Sequence, residues 1–251
     1  MQGNIENISV YHDYSFLYDF IFQDRNTEGE VSYLTNMYEE LIERSSPTII
    51  DIGCGTGEHI ELLTDRGYNC VGVDVSFEMI KLSLMRIFEN NSAKVLHADD
   101  RDFSLDEHSE GCFSVFSTFN HKLEEKTALE ALKNYACNLC KEGIFILDVV
   151  SPEKYGENMK RRNEEIITGE SCEVDISASL SRSNIADVRE NYRVRVNKHQ
   201  NIEFTNEYKF RIYKESELID LLQRSGFEVI NIDDRMHENH DGRIVITSRL
   251  I

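Results

Sequence analysis

The stretch Thr48 to Gly57, TIIDIGCGTG, constrains the fold more than any other part of this chain. It opens with a β-branched run, Ile49-Ile50, which reads as a fully buried strand. Asp51 follows, and then Gly53, Gly55 and Gly57 at every second position. Glycines directly after a strand let the backbone turn sharply and lie against a ligand without interference from a Cβ. The ligand expected there is nucleotide-like. A dinucleotide-binding fingerprint would put Gly or Ala at position 58, close against the strand. Glu58 stands there instead, so the downstream acids have to decide.

A second apolar run, Cys70-Val71-Gly72-Val73, ends at Asp74, 21 residues after Gly53. The next parallel strand delivers a carboxylate to a ribose at about that distance, where it can accept hydrogen bonds from both hydroxyls. A third run, Lys94-Val95-Leu96-His97, leads into Ala98-Asp99-Asp100-Arg101-Asp102-Phe103. Any one of these acids could merely cap the helix that follows it. Three in register favour a single shared ligand.

From Thr48 onward strands alternate with helices over 58–66, 76–88 and 124–141, with further strands at 112–116 and 143–150. This predicts an α/β fold: a Rossmann-like, doubly wound, seven-stranded sheet covered on both faces. Beyond Ser151-Pro152 the period becomes two: Val174 to Leu180, Val188 to Val196, and Phe204 to Ile212 alternate with polar residues. They read as an antiparallel β-meander with one buried face, inserted after the fifth strand. An amphipathic helix over 215–225, ended by Gly226, precedes a hairpin-like pair at 227–232 and 244–248 that closes the main sheet. Upstream, Tyr11, Tyr14, Tyr18 and Phe22 recur at helical spacing, and 31–43 reads as a second helix. The chain thus divides into N-terminal helices over the site (1–46), a ligand-binding core (47–151 with 214–251) and a β-rich insertion (152–213).

A net charge of −19 offers no electrostatic footprint for nucleic acid, so small molecules are the better partners to consider. No segment approaches about 18 uninterrupted apolar residues, which argues against a membrane span. Glu6 and Asp13 are not the cationic start of a signal peptide, and the default expectation is a cytoplasmic protein. The six cysteines read as free thiols. Cys137 and Cys140 have no second pair at zinc spacing, and no metal is expected. A homodimer stays open.

The acids and glycines above, with Tyr14-Ser15-Phe16-Leu17-Tyr18-Asp19, Ser117-Thr118-Phe119-Asn120-His121 and Gly242-Arg243 before an apolar strand, together form a pattern. It resembles the class I S-adenosylmethionine (SAM)-dependent methyltransferases of small molecules, from about Tyr14 to the C-terminus. Within them it is most similar to bacterial N-methyltransferases of nucleotide-linked deoxyaminosugars. The resemblance implies SAM as cofactor, held by Asp51, Gly53, Cys54, Gly55 and Gly57, by Asp74 at the ribose, and by Val75, Met79, Phe116 and Tyr18. Asp99, or Asp100 or Asp102 in its place, would receive the adenine. On the acceptor side it implies Tyr14 and His121, which would orient an amine, with His121 able to take up a proton. Asn120 and Arg243 would bind substrate, Arg243 or the Lys160-Arg161-Arg162 cluster suiting a diphosphate.

Methyl transfer is an in-line displacement, and positioning alone can supply about 7–11 kcal/mol in favourable cases, so a neutral amine needs no strong base. Glycine and sarcosine methyltransferases and small-molecule O-methyltransferases share the general plan. A non-catalytic SAM-binding module is the competing class. An NAD-dependent oxidoreductase is disfavoured by Glu58 and by the lack of a Tyr-x-x-x-Lys arrangement after the fourth strand.

Overall fold

The alternation of strand and helix is realised in a computed structural model that describes residues 9–150, 162–165, 171–181, 183–197, 200–237 and 243–251. Strands β1 (Thr48–Ile52), β2 (Asn69–Asp74), β3 (Ala93–His97), β4 (Ser109–Ser114) and β5 (Leu139–Val150) pair in parallel. The insertion supplies β6 (Arg162–Glu165), β7 (Ser171–Leu180), β8 (Ile185–Asn197) and β9 (Gln200–Arg211). The last two strands, β10 (Phe227–Asp233) and β11 (Arg243–Leu250), are antiparallel to each other, and β11 runs antiparallel beside β5. The resulting seven-stranded order is β10-β11-β5-β4-β1-β2-β3. Strand order reverses between β1 and β4, which opens a crevice at the carboxyl ends of the parallel strands.

The central strands are buried on both faces and carry two apolar cores. On one face Ile50, Ile52, Phe145 and Leu147 pack against α5 (Glu125–Asn138) and α6 (Glu215–Arg224), through Leu132, Tyr135, Leu218 and Leu222. On the other, Ile49, Phe113 and Ile146 pack against α2 (Thr27–Leu41), α3 (Glu58–Asp65) and α4 (Phe77–Arg86), through Leu34, Tyr38, Ile60 and Ile80. Helix α4 begins where Ser76 accepts a hydrogen bond from the Met79 N–H at 3.2 Å, an N-cap.

The meander has four strands, β6-β7-β8-β9, where three are expected from the alternating pattern. The fourth, β6, is only four residues long, too short for a period-two signal to register. Its buried face, with Val174, Tyr192, Val194 and Phe204, packs on Val10, Leu17 and Ile21 of the N-terminal segment. That segment departs from the sequence expectation. In place of one helix over 9–22 it forms two 3₁₀ turns, Ser9–Tyr11 and Ser15–Leu17, before the single-turn α1 (Tyr18–Ile21). A 3₁₀ turn holds three residues rather than 3.6, so the aromatic stripe does not stay on one face. Tyr14 stacks on Phe204, centroids 4.2 Å apart, and Tyr11 and Tyr18 turn toward the crevice. Among the described residues no helix is long and apolar enough to cross a membrane.

Candidate active site

The glycine turn is shaped by close approach as well as by dihedral angle. Gly53 has φ +74°, and a Cβ there would stand 2.6 Å from the Thr118 hydroxyl oxygen. Gly57, at φ +83°, opens α3, and a Cβ would meet Ser83 Oγ at 2.4 Å. Between them the Gly55 N–H donates to Asp74 Oδ2 at 2.9 Å, while Asp74 Oδ1 accepts from the Ser76 N–H at 2.8 Å. The loop after β1 and the carboxylate at the end of β2 are therefore in direct contact. Burial raises the Asp74 carboxyl, against the lowering effect of these two hydrogen bonds.

Both border a cavity of about 340 Å³ at the carboxyl edge of the sheet. Of the residues expected from sequence, Asp51, Gly53, Cys54, Gly55, Asp74, Val75, Met79, Asp99, Asp100, Phe116, Tyr18 and His121 line it. Gly57 does not line the cavity; it shapes the turn from behind, against Ser83.

The acids at this edge play different parts. Asp51 is 2 % exposed and its Oδ2 has no hydrogen-bond partner among the described residues. Burial lifts its carboxyl to about 6, against the opposing charges of His59 and Arg25. Asp99 accepts from the Arg101 N–H at 3.0 Å and from its guanidinium at 2.8 and 2.6 Å, and these hydrogen bonds hold its carboxyl well below the usual range. Asp100 is largely buried and already committed, to Lys122 Nζ at 2.6 Å and Tyr135 Oη at 2.5 Å. It ties the loop after β3 to α5; Asp99, though paired with Arg101, has the more exposed side chain of the two and is the more accessible to a ligand.

On the opposite strands, Phe116 and Ser117 both adopt left-handed backbone, φ +54° and +68°. Non-glycine residues are strained there, and such strain persists only where surroundings enforce it. The Phe116 N–H donates to Asp148 Oδ2 at 2.9 Å, and Arg243 Nη2 donates to Ser117 Oγ at 2.8 Å. Just beyond, His121 is enclosed by aromatic rings, with Phe210 at 4.6 Å, Tyr208 at 5.9 Å and Tyr11 at 6.4 Å between centroids. Burial brings its imidazole down to about 3, helped by the Lys122 charge, so it is neutral at physiological pH. It can accept a hydrogen bond but is a poor store for a proton.

Three expected residues lie elsewhere. Tyr14 is absent from the cavity lining because the 3₁₀ turns direct it onto Phe204. Asn120 is fully buried, with Nδ2 donating to the Arg211 carbonyl at 2.8 Å and Oδ1 accepting from the Val150 N–H at 3.2 Å; it bolts the loop to β5 and β9. Arg243 is spent on Asp148, at 2.6 and 2.7 Å, so it is not free for a phosphate. Lys160 and Arg161 of the basic cluster, and Gly242, lie outside the described residues.

Sequence reasoning missed Tyr11, Arg25 and His59, which also line the cavity. Arg25 stands 4.0 Å over the Phe116 ring and pairs with buried Glu30 at 2.5 Å. His59 Nε2 meets the same carboxylate at 2.9 Å. Burial would raise the Glu30 carboxyl, but His59 and Arg25 outweigh it and bring it to about 2. Tyr11 was visible in the aromatic run; Arg25 and His59 carried no local signal.

Residues 49–143 match the family described as "Methyltransferase domain". That stretch, β1 to the middle of β5, is a methyltransferase domain by this match. The chain is 29% identical over 147 residues to the dTDP-3-amino-3,6-dideoxy-alpha-D-glucopyranose N,N-dimethyltransferase of Streptomyces fradiae, covering 57% of this chain and 54% of that one. It is 28% identical over 137 residues to a glycine/sarcosine N-methyltransferase of Halorhodospira halochloris, covering 52% and 48%. The chain thus spans about half the length of these curated relatives. Its fold is that of a SAM-dependent methyltransferase from Clostridium acetobutylicum (TM-score 0.81, 17% identity, 96% of this chain and 98% of that one). It also matches SAM-bound CalS10, an amino pentose methyltransferase from Micromonospora echinaspora (TM-score 0.79, 16% identity, 96% and 97%).

Proposed function

We propose that this methyltransferase transfers the methyl group of SAM to the amino group of a small molecule, with a nucleotide-linked aminosugar as the substrate class. The observation that carries this reading is the opening of the Gly53 turn, Asp74 and Asp99 into one cavity that also holds neutral His121. The residues present fit the cofactor. The partnerless, buried Asp51 Oδ2 suits an ammonium, which would return the carboxyl to its charged form. Arg25 also lines the cavity; its Nε and Nη2 are engaged by Glu30, so it would offer a cofactor carboxylate only its remaining donors. Each Asp74 oxygen accepts one backbone N–H and keeps a further acceptor site for a ribose hydroxyl. When bound, SAM supplies a methyl group activated by a cationic sulfur.

His121 accepts a hydrogen bond from the amine N–H and so turns the nitrogen lone pair. Tyr18, whose hydroxyl burial pushes up to about 12, stays protonated as a donor. With His121 neutral, the amine's proton leaves to solvent. The relatives named for aminosugars support this acceptor; those named for glycine and sarcosine support a free amino acid as the second reading. Arg243's commitment to Asp148 weakens the case for a diphosphate contact at that position.

Calorimetry with SAM, followed by transfer of labelled methyl to dTDP-3-amino-3,6-dideoxyglucose, glycine and sarcosine, tests the reading. Labelling of the aminosugar is the expected result. Labelling of the amino acids alone selects the second reading, and SAM binding with no transfer to any amine leaves a binding module.

A further inference from the structure

Glu190, on β8, receives three side-chain hydrogen bonds from neutral donors. Tyr208 Oη donates to its Oε1 at 2.7 Å, and Tyr192 Oη and Asn206 Nδ2 donate to its Oε2 at 2.9 and 3.3 Å. Fully buried Asn206 in turn accepts from the Val10 backbone N–H at 3.2 Å. The neighbouring acids on these strands behave differently: Glu173, Asp187, Glu203 and Glu207 pair with Arg or Lys on the exposed face. Glu190 instead lies half-buried among aromatic side chains, its carboxylate held by neutral donors.

Glu190 borders a separate small cavity beside Phe22 and Tyr192, and its two branches both lead to residues that adjoin the lining of the candidate active site. One runs through Tyr208, whose ring stands 5.9 Å from that of His121. The other runs through Asn206 to Val10, next to Tyr11, which lines the cavity and stands 6.4 Å from His121 on another side. Glu190's charge is felt at the Tyr11 hydroxyl, which burial first, then Tyr18 and Glu190, keep protonated.

The proposed reaction creates a charge at this place. The nitrogen lone pair forms the new N–C bond, the C–S bond breaks with its electron pair passing to sulfur, and the positive charge moves from sulfur to nitrogen until the N–H proton is lost to water. We infer that Glu190 is a positioning residue for the acceptor: it fixes Tyr208 and the Val10-Tyr11 backbone around His121 and supplies the negative charge that favours an amine becoming an ammonium over a hydroxyl acceptor. The inference rests on the methyl-transfer reading above. It assigns to the β-insertion the selection of nitrogen over oxygen, since a hydroxyl acceptor would leave as a neutral ether and gain nothing from the carboxylate.

The test compares wild type, Glu190→Gln and Glu190→Asp for S-adenosylhomocysteine affinity, for kcat and KM with the aminosugar, and for calorimetric binding of tetramethylammonium chloride to the S-adenosylhomocysteine complex. Glu190→Gln should keep S-adenosylhomocysteine affinity within about twofold, weaken tetramethylammonium binding roughly tenfold and lower kcat by about tenfold, with a smaller change in KM. Glu190→Asp should recover part of both losses. Tyr208→Phe, which keeps the ring and removes the donated hydrogen bond, carries the same test should Glu190→Gln not fold. Equal tetramethylammonium affinity in wild type and Glu190→Gln, or none in wild type, overturns the inference. A wild-type protein that binds the cation through Glu190 yet methylates no amine refutes the methyl-transfer reading and leaves the role of Glu190 standing.

Discussion

Arg243 donates from Nε and Nη2 to the two carboxylate oxygens of Asp148, at 2.6 and 2.7 Å, and its Nη2 also reaches Ser117. The pair joins β11 to the end of β5 beneath the strained Phe116-Ser117 backbone. Burial would raise the Asp148 carboxyl; Arg243 and His237 hold it well below the usual range. The Asp148 side chain has no solvent exposure and that of Arg243 is 13% exposed, so the ion pair is interior.

Arg243→Ala leaves the buried Asp148 carboxylate with only His237 and the Phe116 N–H, and the expected cost is up to about 3–5 kcal/mol of folding stability. Denaturant titration measures it. Arg243→Lys keeps the charge but loses the fork and should fall between the two. If Arg243 instead bound substrate phosphate, stability would be unchanged and KM alone would rise.

Asp74→Ala removes the acceptor of the Gly55 and Ser76 N–H groups along with the proposed ribose contact. SAM affinity should fall by about 1.5–3 kcal/mol, the worth of hydrogen bonds to a charged group. Calorimetric titration reads it directly, and wild-type affinity would show Asp74 to be only a loop tie.

Asp51 gives SAM binding a pH dependence. Its folded carboxyl is raised to about 6 from 3.8, so without ligand the folded state binds more protons between these values. Its contribution to stability is therefore present below pH ~3.8 and lost as pH rises through about 6. A cation bound at the orphaned oxygen favours the ionised form, so SAM affinity should rise from pH 5 to 7. Asp51→Asn should flatten that rise.

His121→Asn should lower turnover by about tenfold or more, with SAM affinity unchanged. The imidazole is depressed to about 3, so the wild-type pH–rate profile should carry no His121 step between pH 6 and 9. Stability has the matching sign: the unfolded chain binds the extra proton between about 3 and 6.5, so His121 makes the fold less stable as pH falls through that window.

Gly57→Ala forces an L-residue to φ +83° and drives a Cβ into Ser83. A loss of about 1 kcal/mol or more is expected. Pairing it with Ser83→Ala should recover the steric part of the loss and leave the dihedral part, as thermal unfolding of the double variant would show.

The glycine turn and the acids that border the cavity were legible in the chain because each piece is local. Ile49-Ile50 makes a strand, Asp51 and the glycines follow at once, and Asp74 and Asp99 sit at the ends of the next two apolar runs. A right-handed parallel crossover then has to bring those ends to one edge. The meander was legible for the same reason, since period-two alternation assigns a buried face without knowing what covers it.

The aromatic and cationic wall of the cavity was not. Tyr11 rather than Tyr14 faces the cavity because packing against Phe204 and Tyr192 imposes 3₁₀ turns on a sequence whose spacing suits an α-helix equally well. Arg25 and His59 converge on Glu30 from separate elements, and Arg243 finds Asp148 across 95 residues. By itself the sequence determined the strand–turn–acid units and the order in which they line one edge, because hydrophobic period and glycine dihedrals act between near neighbours. Only the tertiary structure decided which polar side chains remain available to a ligand, because a buried charge must find its counter-ion wherever the folded chain places one.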